Sequence, residues 1–97
     1  MATCVHLLNF TDQGLRNIKD TVKRAEALTK AGAQIGVNFK EIIWTQGQYD
    51  LIVIAEAADE IAASALLLNL LKAGNVRGQT LRGFAAAEME KILEKVA

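Results

Sequence analysis

The apolar positions of the chain recur with two different periods. Residues 3–10 (Thr-Cys-Val-His-Leu-Leu-Asn-Phe) are rich in strand formers, and Asp12 stands where an N-cap hands the chain over to helical spacing. Leu15, Ile18, Val22, Ala25, Leu28, Ala31 and Ile35 then recur every three or four residues, which predicts one apolar stripe along a long helix. Asp20-Thr21 offers a second cap inside that stretch and predicts a kink or break, and Gly36 is a C-terminal stop. From Val37 to Trp44 the pattern is that of a strand, with Phe39 and Ile43 on one parity and Ile42 and Trp44 on the other. That mixture requires cover on both faces or a β-bulge near Lys40. Gln46-Gly47-Gln48-Tyr49 is the connection that follows.

Asp50 to Ala57 (Asp-Leu-Ile-Val-Ile-Ala-Glu-Ala) is a near-continuous apolar run of strand length, as in a central strand buried on both sides, with Glu56 its odd member. Asp59 and Glu60 favour a helix start, and the helix runs to a stop at Gly74-Asn75. Its Leu66, Leu67, Leu68, Leu70 and Leu71 spread over about 200° of the helical wheel, wider than the roughly 100° that one core-facing helix needs. Val76 to Phe84 predicts a fourth strand. Ala85 to Ala97 predicts a short helix with Met89, Ile92, Leu93 and Val96 apolar and Glu90, Lys91, Glu94 and Lys95 solvated.

The order is strand, helix, strand, strand, helix, strand, then an added C-terminal helix. Two interleaved split βαβ units of this kind give an α+β, ferredoxin-like βαββαβ fold: a four-stranded antiparallel sheet with both long helices on one face. A central strand that is apolar on both parities cannot leave the other face in water. A second copy laid sheet against sheet is the simplest cover, and two such sheets make a dimeric α+β barrel.

With 97 residues, 52% hydrophobic and 23% charged, the chain has room for a single domain spanning residues 1–97. Eleven basic residues balance eleven acidic ones, so no long-range field collects polyanions, and nucleic acid and an anionic membrane are not expected as partners. One Trp, one Tyr and three Phe offer little for base stacking. The single cysteine, Cys4, excludes an internal disulfide framework and fits a reducing cytoplasm. The first residues lack the basic start and apolar run of a secretory signal. The most apolar stretch, Ile61 to Leu71, is about half of the roughly 20 residues needed to span a bilayer.

Four stretches carry a resemblance to a known family. They are Leu8-Asn9-Phe10-Thr11-Asp12-Gln13-Gly14; Arg16-Asn17-Ile18-Lys19-Asp20 with Lys23-Arg24-Ala25-Glu26-Ala27; Trp44-Thr45-Gln46-Gly47-Gln48-Tyr49-Asp50; and Gly74-Asn75-Val76-Arg77 with Thr80-Leu81-Arg82. Over nearly its whole length the chain resembles the GYD-domain family of small prokaryotic proteins. The resemblance implies a dimeric α+β barrel of ferredoxin-like type, with no established biochemical activity. The eponymous glycine, tyrosine and aspartate fall on Gly47, Tyr49 and Asp50. Val22 and Ala58 stand where the family usually has Pro, and Gly78-Gln79 where Thr-Glu is frequent, which removes a carboxylate from position 79. His6 and Cys4 look particular to this member.

Candidate chemistry is sparse. Gly47, Tyr49 and Asp50 read first as turn residues: a positive φ at Gly47, a carboxylate bonded to the loop backbone, and a ring packed at a sheet edge. Alternatively, Tyr49 and Asp50 point into a pocket mouth as proton donor and acceptor. His6, the lone histidine, reads as a hydrogen-bonded core or interface residue or as a general base, and Cys4 as a small buried hydrophobe. With one His and one Cys, no metal site or cofactor is expected. Glu56, Arg77 and Arg82 sit on strands otherwise built for burial. The expectation is a Glu56–Arg ion pair, or an arginine that binds an anion inside the barrel. Arg16, Lys19 and Lys23, interleaved with Asp20, read as a solvated helix stripe.

Two functions compete. One is a homo-oligomeric small-molecule-binding or interaction module. The other is a cofactor-independent monooxygenase- or isomerase-like enzyme acting on an aromatic or quinone-like substrate. There His6 would be the base, Trp44 and Tyr49 the walls, and Asn9 or Arg82 the support of an oxyanion.

Overall fold

Strands β1 (Ala2–Phe10), β2 (Val37–Trp44), β3 (Leu51–Ala57) and β4 (Val76–Gly83) form one antiparallel sheet in the order β2-β3-β1-β4, seen in a computed structural model that describes residues 1–97. With helices α2 (Thr21–Gln34) and α3 (Glu60–Lys72) following β1 and β3, this is the ferredoxin-like arrangement. Side chains alternate across the pleat. Ala2, Cys4, His6 and Leu8 of β1 and Leu51, Val53, Ala55 and Ala57 of β3 are buried on the helix face. Two small cores lie there: Val37, Ala55, Ala57, Ala62 and Leu66 under α3, and Leu8, Leu51, Val53 and Val76 beside them.

The expected bulge is present. Pairing of β2 with β3 shifts between Phe39 and Glu41, which leaves Lys40 as the extra residue. The shift brings Phe39, Ile42 and Trp44 to the helix face and Glu41 and Ile43 to the other, and so resolves the mixed parity of this strand.

The first helical region is broken, as Asp20-Thr21 predicts. A short helix α1 (Asp12–Arg16) and a single 3-10 turn (Ile18–Asp20) precede α2. The cap of α1 is Thr11, not Asp12: its hydroxyl accepts from Gly14 N at 3.1 Å and donates to Gly74 O at 2.5 Å, so one residue caps α1 and ties it to the turn before β4. Gly14 is pressed against that turn, where a Cβ would lie 2.1 Å from Asn75 O. Asp59 caps α3 by accepting from Ala62 N at 2.8 Å. Both long helices end ahead of a glycine in the left-handed region, Gly36 (φ 84°) and Gly74 (φ 83°).

The expected apolar stripe faces inward only in part. Leu15 and Val22 are exposed, and Thr21, Ala25, Leu28 and Gly32 face inward. The break resets the helical phase, so Leu15 and Ile18 no longer continue the line of Ala25 and Leu28. Gly32 then allows close approach at the far end, where a Cβ would lie 2.9 Å from the Phe39 ring.

The opposite sheet face has no helix on it. Ile43, Ile52, Leu7 and Gln79 form one cross-strand row, and Glu41, Ile54, Val5 and Leu81 the next. Ile43 is 46% and Leu81 45% exposed. The final helix α4 (Ala86–Leu93) is shorter than expected and has no buried residue, with Met89, Ile92 and Leu93, and Val96 beyond its end, uncovered. On α3, Ile61 (81%) and Leu68 (65%) are also exposed, which is the surplus of its wide leucine face. The radius of gyration is 14.5 Å, against about 12–13 Å for a compact chain of this length, and the extents are 51 × 31 × 18 Å. No helix is long and apolar enough to cross a membrane.

Candidate functional site

The Gly47-Gln48-Tyr49-Asp50 loop is held by its own residues. Gly47 has φ 120° with nothing within 4 Å of a Cβ position, so its conformation, not crowding, requires glycine. Thr45 closes the loop, its N donating to Asp50 O at 2.8 Å and its hydroxyl to Tyr49 O at 2.6 Å. Asp50 clamps the end of β1: Phe10 N donates to its Oδ2 at 3.0 Å, and its own N donates to Leu8 O at 2.9 Å. Tyr49 reaches the edge strand β4. Its hydroxyl accepts from Gln79 Nε2 at 2.7 Å, so the ring crosses β1 on the uncovered face to reach β4. The amide at position 79 is thus a partner for the tyrosine.

His6 is 1% exposed on the helix face. Its Nδ1 is 2.9 Å from the hydroxyl of Thr80, its cross-strand neighbour, and its Nε2 is buried without a partner in either tautomer. Desolvation lowers its pKa below the ordinary 6.5, so the ring is neutral at pH 7. Cys4, on the same face, is a buried free thiol.

The strand charges are spent locally. Glu56 pairs with Lys40 at 3.7 Å rather than with an arginine, because the bulge places Lys40 beside β3. Arg77 caps the end of α3, donating from Nη1 to Leu71 O at 3.0 Å and to Val76 O at 2.8 Å. Arg82 donates to Thr3 O and Gly83 O, lies 3.6 Å from the Glu88 carboxylate and stacks 4.5 Å over Phe84, which fixes the root of α4. Asn9 is exposed at the end of β1 opposite Arg77. Trp44 donates from Nε1 to Thr21 Oγ1 at 3.0 Å on the helix side. His6, Tyr49, Asp50 and the arginines therefore do not converge on one point.

The best-formed cavity lies elsewhere, between α2, α3 and the sheet. It has a volume of about 120 Å³, and nine of its thirteen lining residues are hydrophobic. Leu28, Ile42, Leu51, Val53 and Leu70 form the walls, and Thr21, Arg24, Asn69 and Asn75 are its polar members. It exists because α2 sits tight on Phe39 at Gly32 and leaves room under its first turns. None of the candidate site residues His6, Asn9, Trp44, Tyr49, Asp50, Glu56, Arg77 and Arg82 lines it, although Trp44 reaches it through Thr21. Glu56 lines a second, shallower depression with Met1, Val37 and Phe39. The signal missed in the sequence is helical spacing: Thr21, Arg24 and Leu28 stand at i, i+3 and i+7 on one face.

Comparison with known proteins returns no match among curated proteins and none among solved structures. The family model of the GYD domain matches residues 4–93, which takes in β1 from Cys4 onward, the whole of β2, β3 and β4 and the Gly47-Tyr49-Asp50 loop, and the chain belongs to the GYD-domain family.

Proposed function

We propose that the protein works as a homodimeric small-molecule-binding module, two copies meeting through their uncovered sheet faces. The observation that carries this reading is that face: Val5, Leu7, Ile43, Ile52, Ile54 and Leu81 form a contiguous apolar patch across the sheet from edge to edge. An apolar sheet face left in water marks an interface. Its two central strands carry no charge in these rows, with Glu41 at the β2 edge the one charged member, so a second copy related by a two-fold axis meets an uncharged centre. The cavity on the helix side supports the binding role, since it lies away from that face and stays open in such a pair. The enzyme reading has less support, because its proposed base, His6, lines neither cavity. Size-exclusion chromatography with light scattering tests the assembly. A mass of about twice 10.5 kDa is expected, and a stably folded monomer at tens of micromolar overturns the reading.

A further inference from the structure

We infer that the cavity between α2 and α3 binds a small apolar monocarboxylate whose carboxylate pairs with Arg24. The inference rests on the binding-module reading and names the ligand class. Arg24 is the one charged residue among the thirteen that line the cavity. Its Nη1 is fixed on Asn17 O at 2.6 Å, but its Nη2 is buried and has no partner. A buried guanidinium nitrogen without an acceptor is costly, and such groups in native folds have a reason. No Asp or Glu lines the cavity to provide that acceptor. The other polar groups have donors to spare. Asn75 uses its Oδ1 to accept from Gln13 Nε2, leaving its amide N–H groups, and Thr21 Oγ1 accepts from Trp44, leaving its own proton. Thr21 and Arg24 also sit in the first turn of α2, where the helix dipole favours negative charge.

The unpartnered guanidinium nitrogen and the neutral donors select an acceptor-only group, and a carboxylate matches it. One cation suits a monoanion; a phosphate dianion would lack a second positive group. The apolar walls set the rest of the ligand. A volume of about 120 Å³ is slightly below that of an engineered apolar cavity of about 150 Å³ that takes benzene, so the body is one ring or a short branched chain. Benzoate and isovalerate are suitable probes.

The test is a titration of the full chain with benzoate and isovalerate, followed by amide chemical shifts and calorimetry, with benzyl alcohol as the neutral isostere. Saturable shifts at α2 and α3 are expected, with benzoate binding at least about tenfold tighter than benzyl alcohol. R24M keeps the aliphatic stem and is expected to weaken benzoate by about tenfold or more while leaving benzyl alcohol unchanged. A25L fills the cavity, keeps Arg24, and is expected to abolish binding of both probes. Circular dichroism establishes that each variant is folded. Equal binding of acid and alcohol, unchanged benzoate affinity in R24M, or no binding up to about 10 mM overturns the inference. Light scattering on the same samples separates the two proposals: a dimer that ignores carboxylates refutes only the site, and a monomer that binds them refutes only the dimer.

Discussion

Replacing Ile43 by Thr and Leu81 by Gln tests the sheet interface at two points that the subunit itself leaves half uncovered. Ile43 is 46% and Leu81 45% exposed, and they lie in adjacent rows on strands at opposite edges of the sheet. Removing a fully exposed Ile or Leu side chain from water is worth about 1.5–3 kcal/mol, so covering the remaining half is worth about 1 kcal/mol for each. A two-fold interface counts every residue twice. Two residues in two copies therefore stand to lose about 4 kcal/mol of association energy in I43T/L81Q, or about three decades in Kd. Thr keeps the β-branched preference of the strand and Gln keeps a straight apolar stem, so the subunit fold is retained. Sedimentation velocity over a dilution series from about 100 to 0.1 µM reads the shift, with circular dichroism as the control for folding. A folded double variant that dissociates at the same concentration as the wild type refutes the assignment of this face.

Three further outcomes follow from the geometry. His6 is neutral in the fold and has a lowered pKa, so below pH 6.5 the unfolded chain binds a proton that the folded chain does not. Stability is therefore complete above pH 6.5 and falls as pH drops toward the folded pKa, by up to about 1.4 kcal/mol per pH unit. Urea unfolding of H6L is expected to lose this slope, since exposed Thr80 can turn to water; an unchanged slope assigns the acid sensitivity elsewhere. D50A leaves Phe10 N without its carboxylate and is expected to cost about 1.5–3 kcal/mol in chemical denaturation, with amide exchange rising at the end of β1. G14A drives a methyl into the Asn75 carbonyl and is expected to cost about 1–3 kcal/mol; a variant as stable as the wild type shows that α1 can move off that turn freely.

Where a feature depended on local period or a single turn residue, it was legible in the sequence. The strand order follows from the succession of elements, the break before α2 from Asp20-Thr21, and the bulge from the clash of parities around Lys40. Features set by two segments at once were not. Thr11 and Asp12 are both capping types, and the choice falls to Thr11 because β1 ends at Phe10 and its hydroxyl also meets Gly74 O. Glu56 finds Lys40 because the bulge moves it there, a cross-strand event that no single strand encodes. The cavity is the strongest case. Arg24 carries no signal of its own in the sequence beyond its place in the Lys23-Arg24-Ala25-Glu26-Ala27 stretch, and the packing of α2, tight at Gly32 on Phe39, puts it in the cavity lining.

The placement of uncovered apolar surface constrains what a dimer would be made of. Two same-face rows about 6.6 Å apart, across four strands at about 4.8 Å spacing, give a patch of roughly 250 Å² per copy. A stable interface takes about 800 Å² per partner, so the sheet face supplies about a third. Further exposed apolar side chains lie on α4 and just beyond it, at Met89, Ile92, Leu93 and Val96, on α3 at Ile61 and Leu68, and along the first helical region at Leu15, Ile18, Val22 and Ile35. α4 is held at its root, where Arg82 engages the Glu88 carboxylate and the Phe84 ring, and packs little against its own subunit beyond that. An amphipathic helix anchored at one end and uncovered along its apolar side is suited to grip a neighbour. In the proposed dimer the flat sheet would set the register, and α4 would add the area that the sheet alone lacks. Such a pairing would cover apolar surface that accounts for part of the low burial of the single chain.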